Sequence, residues 1–169
     1  MRSLLYSKMP PNNIKIIKLD ESFHEGFAPF VYGRIKETQF KAFGLTMDLQ
    51  VVTDTIYDHV TQDDKCLFLA VDIRTQLPVG CLFGLAQRHP FSRDMCANEL
   101  YFSVIPEYRK QGISKLLITH FEEWATLRNC KFMVIGIGEV SSKEGVSSNG
   151  ALQHMGFKLF YTGYHKMIG

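Results

Sequence analysis

The sequence predicts an α/β domain built on a mixed sheet, and three observations lead there. Strand-length apolar runs alternate with helical periodicities in the order strand, helices, three strands, helix, strand, short helix, two strands. Two of the runs, residues 65–73 (KCLFLAVDI) and 79–87 (VGCLFGLAQ), are apolar without alternation, as central strands covered on both faces are. At 169 residues, with 46% hydrophobic and 21% charged, the chain has the size and balance of one globular core. The expected architecture is a central sheet of about six to seven strands flanked by helices. Residues 1–12 are read as a tail and 13–169 as a single domain.

Each element has its own local signal. Residues 13–19 (NIKIIKL) alternate as a first strand, and Asp20 and Glu21 then open a helical region. Residues 23–43 are aromatic but interrupted by Gly26, Pro29 and Gly33, which predicts two short helices or a helix and a loop. Leu49, Val52, Ile56 and Val60 carry the spacing of a helix over 47–60. The runs at 65–73 and 79–87 form a hairpin, and 98–105 (NELYFSVI) forms a strand that Pro106 ends. From Gln111 to Leu127 a stripe of Ile113, Leu116, Leu117, Phe121 and Trp124 marks an amphipathic helix. Residues 130–137 are a further strand. A short helix follows near 149–155, and 157–161 and 164–168 close the sheet.

Composition narrows the function classes. A formal charge of +2 is too small to imply a nucleic-acid or membrane partner by itself. No apolar run reaches the roughly 18 residues of a membrane helix, and the first residues lack a secretory pattern. Cys66, Cys81, Cys96 and Cys130 show no metal-binding spacing, so they read as reduced thiols of a cytoplasmic protein with no metal. Thirteen Phe and seven Tyr predict an aromatic core or an aromatic-lined cleft.

The most informative stretch is PEYRKQGISKLL, residues 106–117. A strand ends before it and a helix opens within it. The first N–H groups of a helix lack partners inside it, and with the positive end of its dipole they make a site for an anion. Gly112 removes a Cβ so that an anion can approach the main chain, Ser114 keeps the next position small, and Arg109 adds a cation. The logic fits a pyrophosphate. There is no GxxxxGK[ST] and no GxGxxG between a strand and a helix, which sets aside the P-loop and the dinucleotide-binding fold.

The segment NELYFSVIPEYRKQGISKLL resembles the cofactor-binding core of the GCN5-related N-acetyltransferases, the GNAT superfamily. Its pattern Arg/Gln-x-x-Gly-x-Gly/Ala reads here Arg109, Lys110, Gln111, Gly112, Ile113, Ser114, behind Val104-Ile105-Pro106. NGALQHMGF, residues 149–157, resembles the superfamily's second signature. The order of elements matches over residues 13–168.

The resemblance implies an acyl-CoA-dependent N-acyltransferase that moves acetyl from acetyl-CoA to a primary amine by direct attack. Backbone N–H groups from Lys110 or Gln111 through Gly112 and Ile113 to Ser114 would hold the pyrophosphate. The strand edge at Phe102, Ser103 and Val104 would bond the pantetheine arm, and Asn149 would lie where that arm passes. Homodimers through the terminal strands are frequent in the superfamily and stand here as an expectation.

For the chemistry, Glu99 is the candidate general base. Period-2 counting puts it on one face with Tyr101 and Ser103. The general acid is not placed: Leu152 stands where family members often carry a Tyr, and Tyr101, Tyr161, Tyr164, His154 and Ser148 are the substitutes. His24, His59, His89, His120 and His165 are read as structural. The aromatics from Phe23 to Phe43 would suit an apolar or cationic acceptor but equally a core. Two other readings stay open: a non-catalytic CoA-binding or regulatory module, and a transferase of the same fold using another acyl or aminoacyl donor.

Overall fold

The structure is a computed structural model and describes residues 13–22, 24–38, 46–136 and 143–159. The chain divides into two compact units, residues 1–134 and 135–169.

The first unit holds a five-stranded sheet in sequential order. Its strands are β1 (Ile14–Lys18), β2 (Lys65–Asp72), β3 (Leu77–Arg88), β4 (Met95–Val104) and β5 (Cys130–Val134). β1 to β4 pair antiparallel and β5 joins β4 in parallel, which makes the sheet mixed. Helices α1 (His24–Thr38) and α2 (Leu49–Thr61) supply core residues for one face, and α3 (Ile113–Leu127) covers the other.

Alternation along the central strands explains this two-sided core. Leu67, Leu69, Cys81, Phe83 and Tyr101 cluster with Ala28 and Val31 of α1 and Val52 and Ile56 of α2. The intervening residues turn toward α3. A Cβ on Gly84 would run into the Phe121 ring and lie 2.8 Å from Cys66 Sγ, and one on Gly80 would meet Leu117. The missing side chains let α3 approach the sheet closely. Burial pushes the Cys66 and Cys81 thiols up to about 12.

Three expectations change. Residues 24–38 form one helix despite Gly26, Pro29 and Gly33. Pro29 gives up only the bond to residue 25, early in the helix, and Ala28 and Val31 pack into the core, so tertiary burial outweighs propensity. The hairpin turn is residues 73–76: Gln76 adopts φ 60° and donates its N–H to Asp72 O at 2.7 Å, leaving Leu77 and Pro78 inside β3. Pro78 sits where the β2–β3 register shifts, a place where a strand tolerates a missing donor. The described residues hold five strands where six to seven were expected. Residues 157–159 are not in a strand, because they follow directly on a helix cap, and 160–169 lie outside the described residues.

The second unit contains α4 (Lys143–His154). Gly156, at φ +89°, donates to Gln153 O at 3.0 Å, and Phe157 donates to Leu152 O at 3.1 Å. This pair of bonds is the Schellman closure, and it is why Gly-Phe ends the helix. Among the described residues no helix is long and apolar enough to cross a membrane. None of them forms a group of three or more His, Cys, Asp or Glu able to hold a metal ion.

Candidate functional site

β4 ends at Val104, and Ile105 donates its N–H to Val79 O at 2.9 Å, the last bond of the β3–β4 ladder. Pro106–Tyr108 then makes one 3-10 turn, with Arg109 N–H bonded to Pro106 O at 3.1 Å. Lys110 adopts φ 61° and Gly112 φ 84°, ψ 0°, after which α3 begins at Ile113. A left-handed residue followed by right-handed ones turns successive N–H groups toward one concavity, a shape suited to an anion. No side chain caps this helix start. The expected opening at Gln111 falls one to two residues later, because the left-handed Gly112 is itself the N-cap.

Two anchors fix this loop. Arg109 Nε donates to Val104 O at 3.1 Å, which ties the loop to the end of β4. Tyr108 OH donates to Asp72 Oδ2 at 2.8 Å. Asp72 is fully buried and also accepts from Arg74 N at 2.9 Å and from the Arg74 guanidinium at 3.0 and 3.2 Å. That guanidinium, with smaller help from Tyr108 and Asn13, holds the carboxyl well below the usual carboxylate range.

The strand edge beside the loop follows from the register. Ile105 and Val79 form a hydrogen-bonded pair, so by the alternation of an antiparallel ladder Ser103 and Tyr101 also bond β3. Phe102 and Val104 therefore direct their N–H and C=O groups away from β3. On that side the β4–β5 register runs from Met95 with Cys130 to Asn98 with Val134 and stops there. No β5 residue is registered with Phe102, Ser103 or Val104. The loop and this edge adjoin each other, as a ligand with an anionic head and an amide-bearing arm requires.

The model of the GNAT acetyltransferase family matches residues 34–157, most of the chain. The chain belongs to the GNAT acetyltransferase family. No curated protein matches it. Among solved structures, this GNAT chain is similar to an aminoglycoside acetyltransferase from an uncultured soil metagenomic sample, in complex with sisomicin. The identity is 18%, with 93% of this chain and 98% of that one covered and a TM-score of 0.68. It is also similar to AAC(6')-Iy in complex with the bisubstrate analog CoA-S-monomethyl-acetylneamine, at 18% identity, 92% and 99% coverage and TM-score 0.66. A third is the ribosomal-protein-alanine N-acetyltransferase of Brucella melitensis biovar Abortus 2308, at 15% identity, 92% and 99% coverage and TM-score 0.62. At these identities the shared property is the fold.

The remaining site residues of this GNAT chain fall as follows. A bulge in β4 leaves Leu100 without a β3 counterpart: Tyr101 is registered with Phe83, and Glu99 with Gly84. Even counting from Ser103 is thus broken before Glu99, which moves one step out of phase with Tyr101. Glu99 is half-buried, and its charge, like that of Arg34, reaches the Cys81 thiol. Asn149 lies half-buried within α4, and Leu152 is buried. Of the substitutes for a Tyr at that place, His154 is exposed and Tyr101 is buried, the Ser148 side chain is not described, and Tyr161 and Tyr164 lie outside the described residues.

Sequence reasoning passed over Arg34 and read His59 as structural. Arg34 is 8% exposed and places Nε 3.5 Å from Ser103 Oγ. Its signal was a cation between Val31 and Ile35 on an apolar stretch.

Proposed function

We propose that the chain is an N-acyltransferase that moves acetyl from acetyl-CoA to a primary amine. The observation that carries this reading is the left-handed Gly112 start of α3 set beside the Phe102–Val104 edge of β4. The cofactor fits this chain on two counts. The uncapped N–H groups at and after Gly112 match a pyrophosphate, and the outward groups of Phe102 and Val104 match the amides of a pantetheine arm. Arg109 and Lys110 flank the anion, and Gln111, Ile113 and Ser114 supply main chain there. Ser103 gives its main chain to β3, so its share is the side chain held by Arg34.

Acetyl-CoA would supply an activated thioester. The chain's own residues then have two tasks. The Val104 N–H offers a donor to a carbonyl oxygen, and Glu99 takes the proton of the incoming ammonium. The buried Leu152 cannot give a proton to a departing thiolate, which leaves that step to water or to another side chain. This same residue favours the second reading, a CoA-binding module without catalysis.

One experiment separates the two. Calorimetry with acetyl-CoA, followed by thiol release over a panel of primary amines, would show binding and turnover for the enzyme. Binding with no thiol release from any amine supports the non-catalytic module, and no binding refutes both.

A further inference from the structure

Asp72 gathers donors from three segments that lie far apart in sequence. It closes β2, where the strand gives way to the turn of residues 73–76, and it is fully buried. Its Oδ1 accepts from Arg74 N and Nε of that turn, and its Oδ2 accepts from Arg74 Nη2 and from Tyr108 OH. The Asn13 side chain, just ahead of β1, bonds the same carboxylate. A buried carboxylate needs such partners, and one of them belongs to the loop before α3.

That loop has little regular structure to hold it. Residues 109–112 lie in no helix or strand, and Lys110 stands at φ 61° two residues ahead of Gly112 at φ 84°. Lys110 has a Cβ, so its left-handed backbone persists only where the surroundings impose it. Two side-chain bonds tie the loop to the sheet. Arg109 Nε reaches Val104 O at the end of β4, and Tyr108 OH reaches Asp72 at the end of β2, two strands away. Tyr108 stands two positions before Lys110, so its anchorage fixes the main chain that leads into the left-handed turn.

We propose that Tyr108 and Asp72 are positioning residues for the cofactor's diphosphate: their bond imposes the left-handed turn at Lys110 and so keeps the N–H groups around Gly112 aimed at one point. Both act through the loop main chain. The inference rests on the acetyl-CoA reading for the diphosphate, while the loop's dependence on the bond rests on the geometry alone. A site formed only part of the time binds with its affinity reduced by that fraction. A hydrogen bond to a charged group shifts such an equilibrium by roughly ten- to a hundredfold. The Arg109 bond remains to oppose the shift.

The test is a calorimetric titration of acetyl-CoA into the whole chain, with urea unfolding to verify each variant. Tyr108→Phe keeps the ring and loses the bond, and it should bind acetyl-CoA roughly three- to thirtyfold more weakly than wild type. In a Lys110→Gly background, where a residue without a Cβ adopts φ 61° without strain, the same change should cost less than about twofold. Comparison within that background cancels the lost lysine charge. Asp72→Asn leaves Tyr108 an uncharged acceptor, so it should lose less than Tyr108→Phe but still more than about twofold. It carries the test where Tyr108→Phe fails to fold. An equal loss in both Lys110 backgrounds overturns the proposal, because a packing defect is blind to the backbone of Lys110. Wild-type binding that both variants leave within about twofold overturns this proposal alone and leaves the cofactor reading standing. A wild type that does not bind acetyl-CoA sinks the cofactor reading and this proposal with it.

Discussion

Gly112→Asp should abolish most acetyl-CoA affinity while the protein stays folded, and the reasons can be sized separately. Gly112 has φ 84°, ψ 0°, where a residue with a Cβ costs about 1–2 kcal/mol of folded-state stability. The new carboxylate would face the diphosphate. Two unit charges about 4 Å apart repel by about 1 kcal/mol in water and about 4 kcal/mol at an effective dielectric of 20. Gly112 is partly exposed, so the loss of affinity should fall between about fivefold and a thousandfold. Gly112→Asn separates shape from charge, because Asn tolerates the left-handed region and carries none. Calorimetric titration at low and high salt gives the affinities, and urea unfolding shows that each variant is folded. The charge part should shrink as salt rises. A folded Asp variant that binds acetyl-CoA within twofold of wild type at low salt would refute the assignment of the anion site.

Three further outcomes follow from the packing and the buried groups. Gly84→Ala puts a methyl group against the Phe121 ring and 2.8 Å from Cys66 Sγ, so the urea midpoint should fall by an equivalent of about 1–3 kcal/mol, and an unmoved midpoint would show that α3 shifts freely. The Asp72 carboxyl titrates lower in the folded chain than unfolded, so the unfolded state binds more protons between the two values. The stability Asp72 contributes is then complete above about pH 4 and drains away as pH falls further. Unfolding curves from pH 6 to pH 2 should show this loss in wild type and a flatter profile in Asp72→Asn, and identical profiles would discard the carboxylate as the source. Cys66 and Cys81, buried with thiols raised to about 12, should resist a thiol reagent in the native protein and react on denaturation, while the half-buried Cys130 reacts first; prompt labelling of several thiols would contradict the packed core.

The parts of the fold that were legible are those where a local pattern and its tertiary role coincide. β2 and β3 read as buried strands because both faces are covered, and α3 read as a helix because its apolar stripe begins directly after Gly112. Other features had no local mark. The Leu100 bulge is one extra residue in an ordinary strand sequence, and it alone undoes the even counting that joined Glu99 to Tyr101. The helix over His24–Thr38 contains two glycines and a proline, and only its packing against the sheet explains it. His59 was legible in principle, since it follows Val52 and Ile56 on the buried stripe of α2. What no sequence spacing could show is that one of its two ring nitrogens is used and the other is not.

The buried carboxylate of Asp72 has a consequence for how this protein would tolerate drift. It is the strut on which the 3-10 turn before Arg109 hangs, although it stands 36 positions earlier in the chain, at a hairpin. The Asp72 strut is shared with Arg74, so the support of the loop before α3 is written partly in the β2–β3 hairpin turn. An allele altered at Asp72 or Tyr108 would leave every residue from Arg109 to Ser114 intact and still let the loop sag. A lineage that loses the strut is left with the bond from Arg109 Nε to Val104 O as the described anchor of that loop.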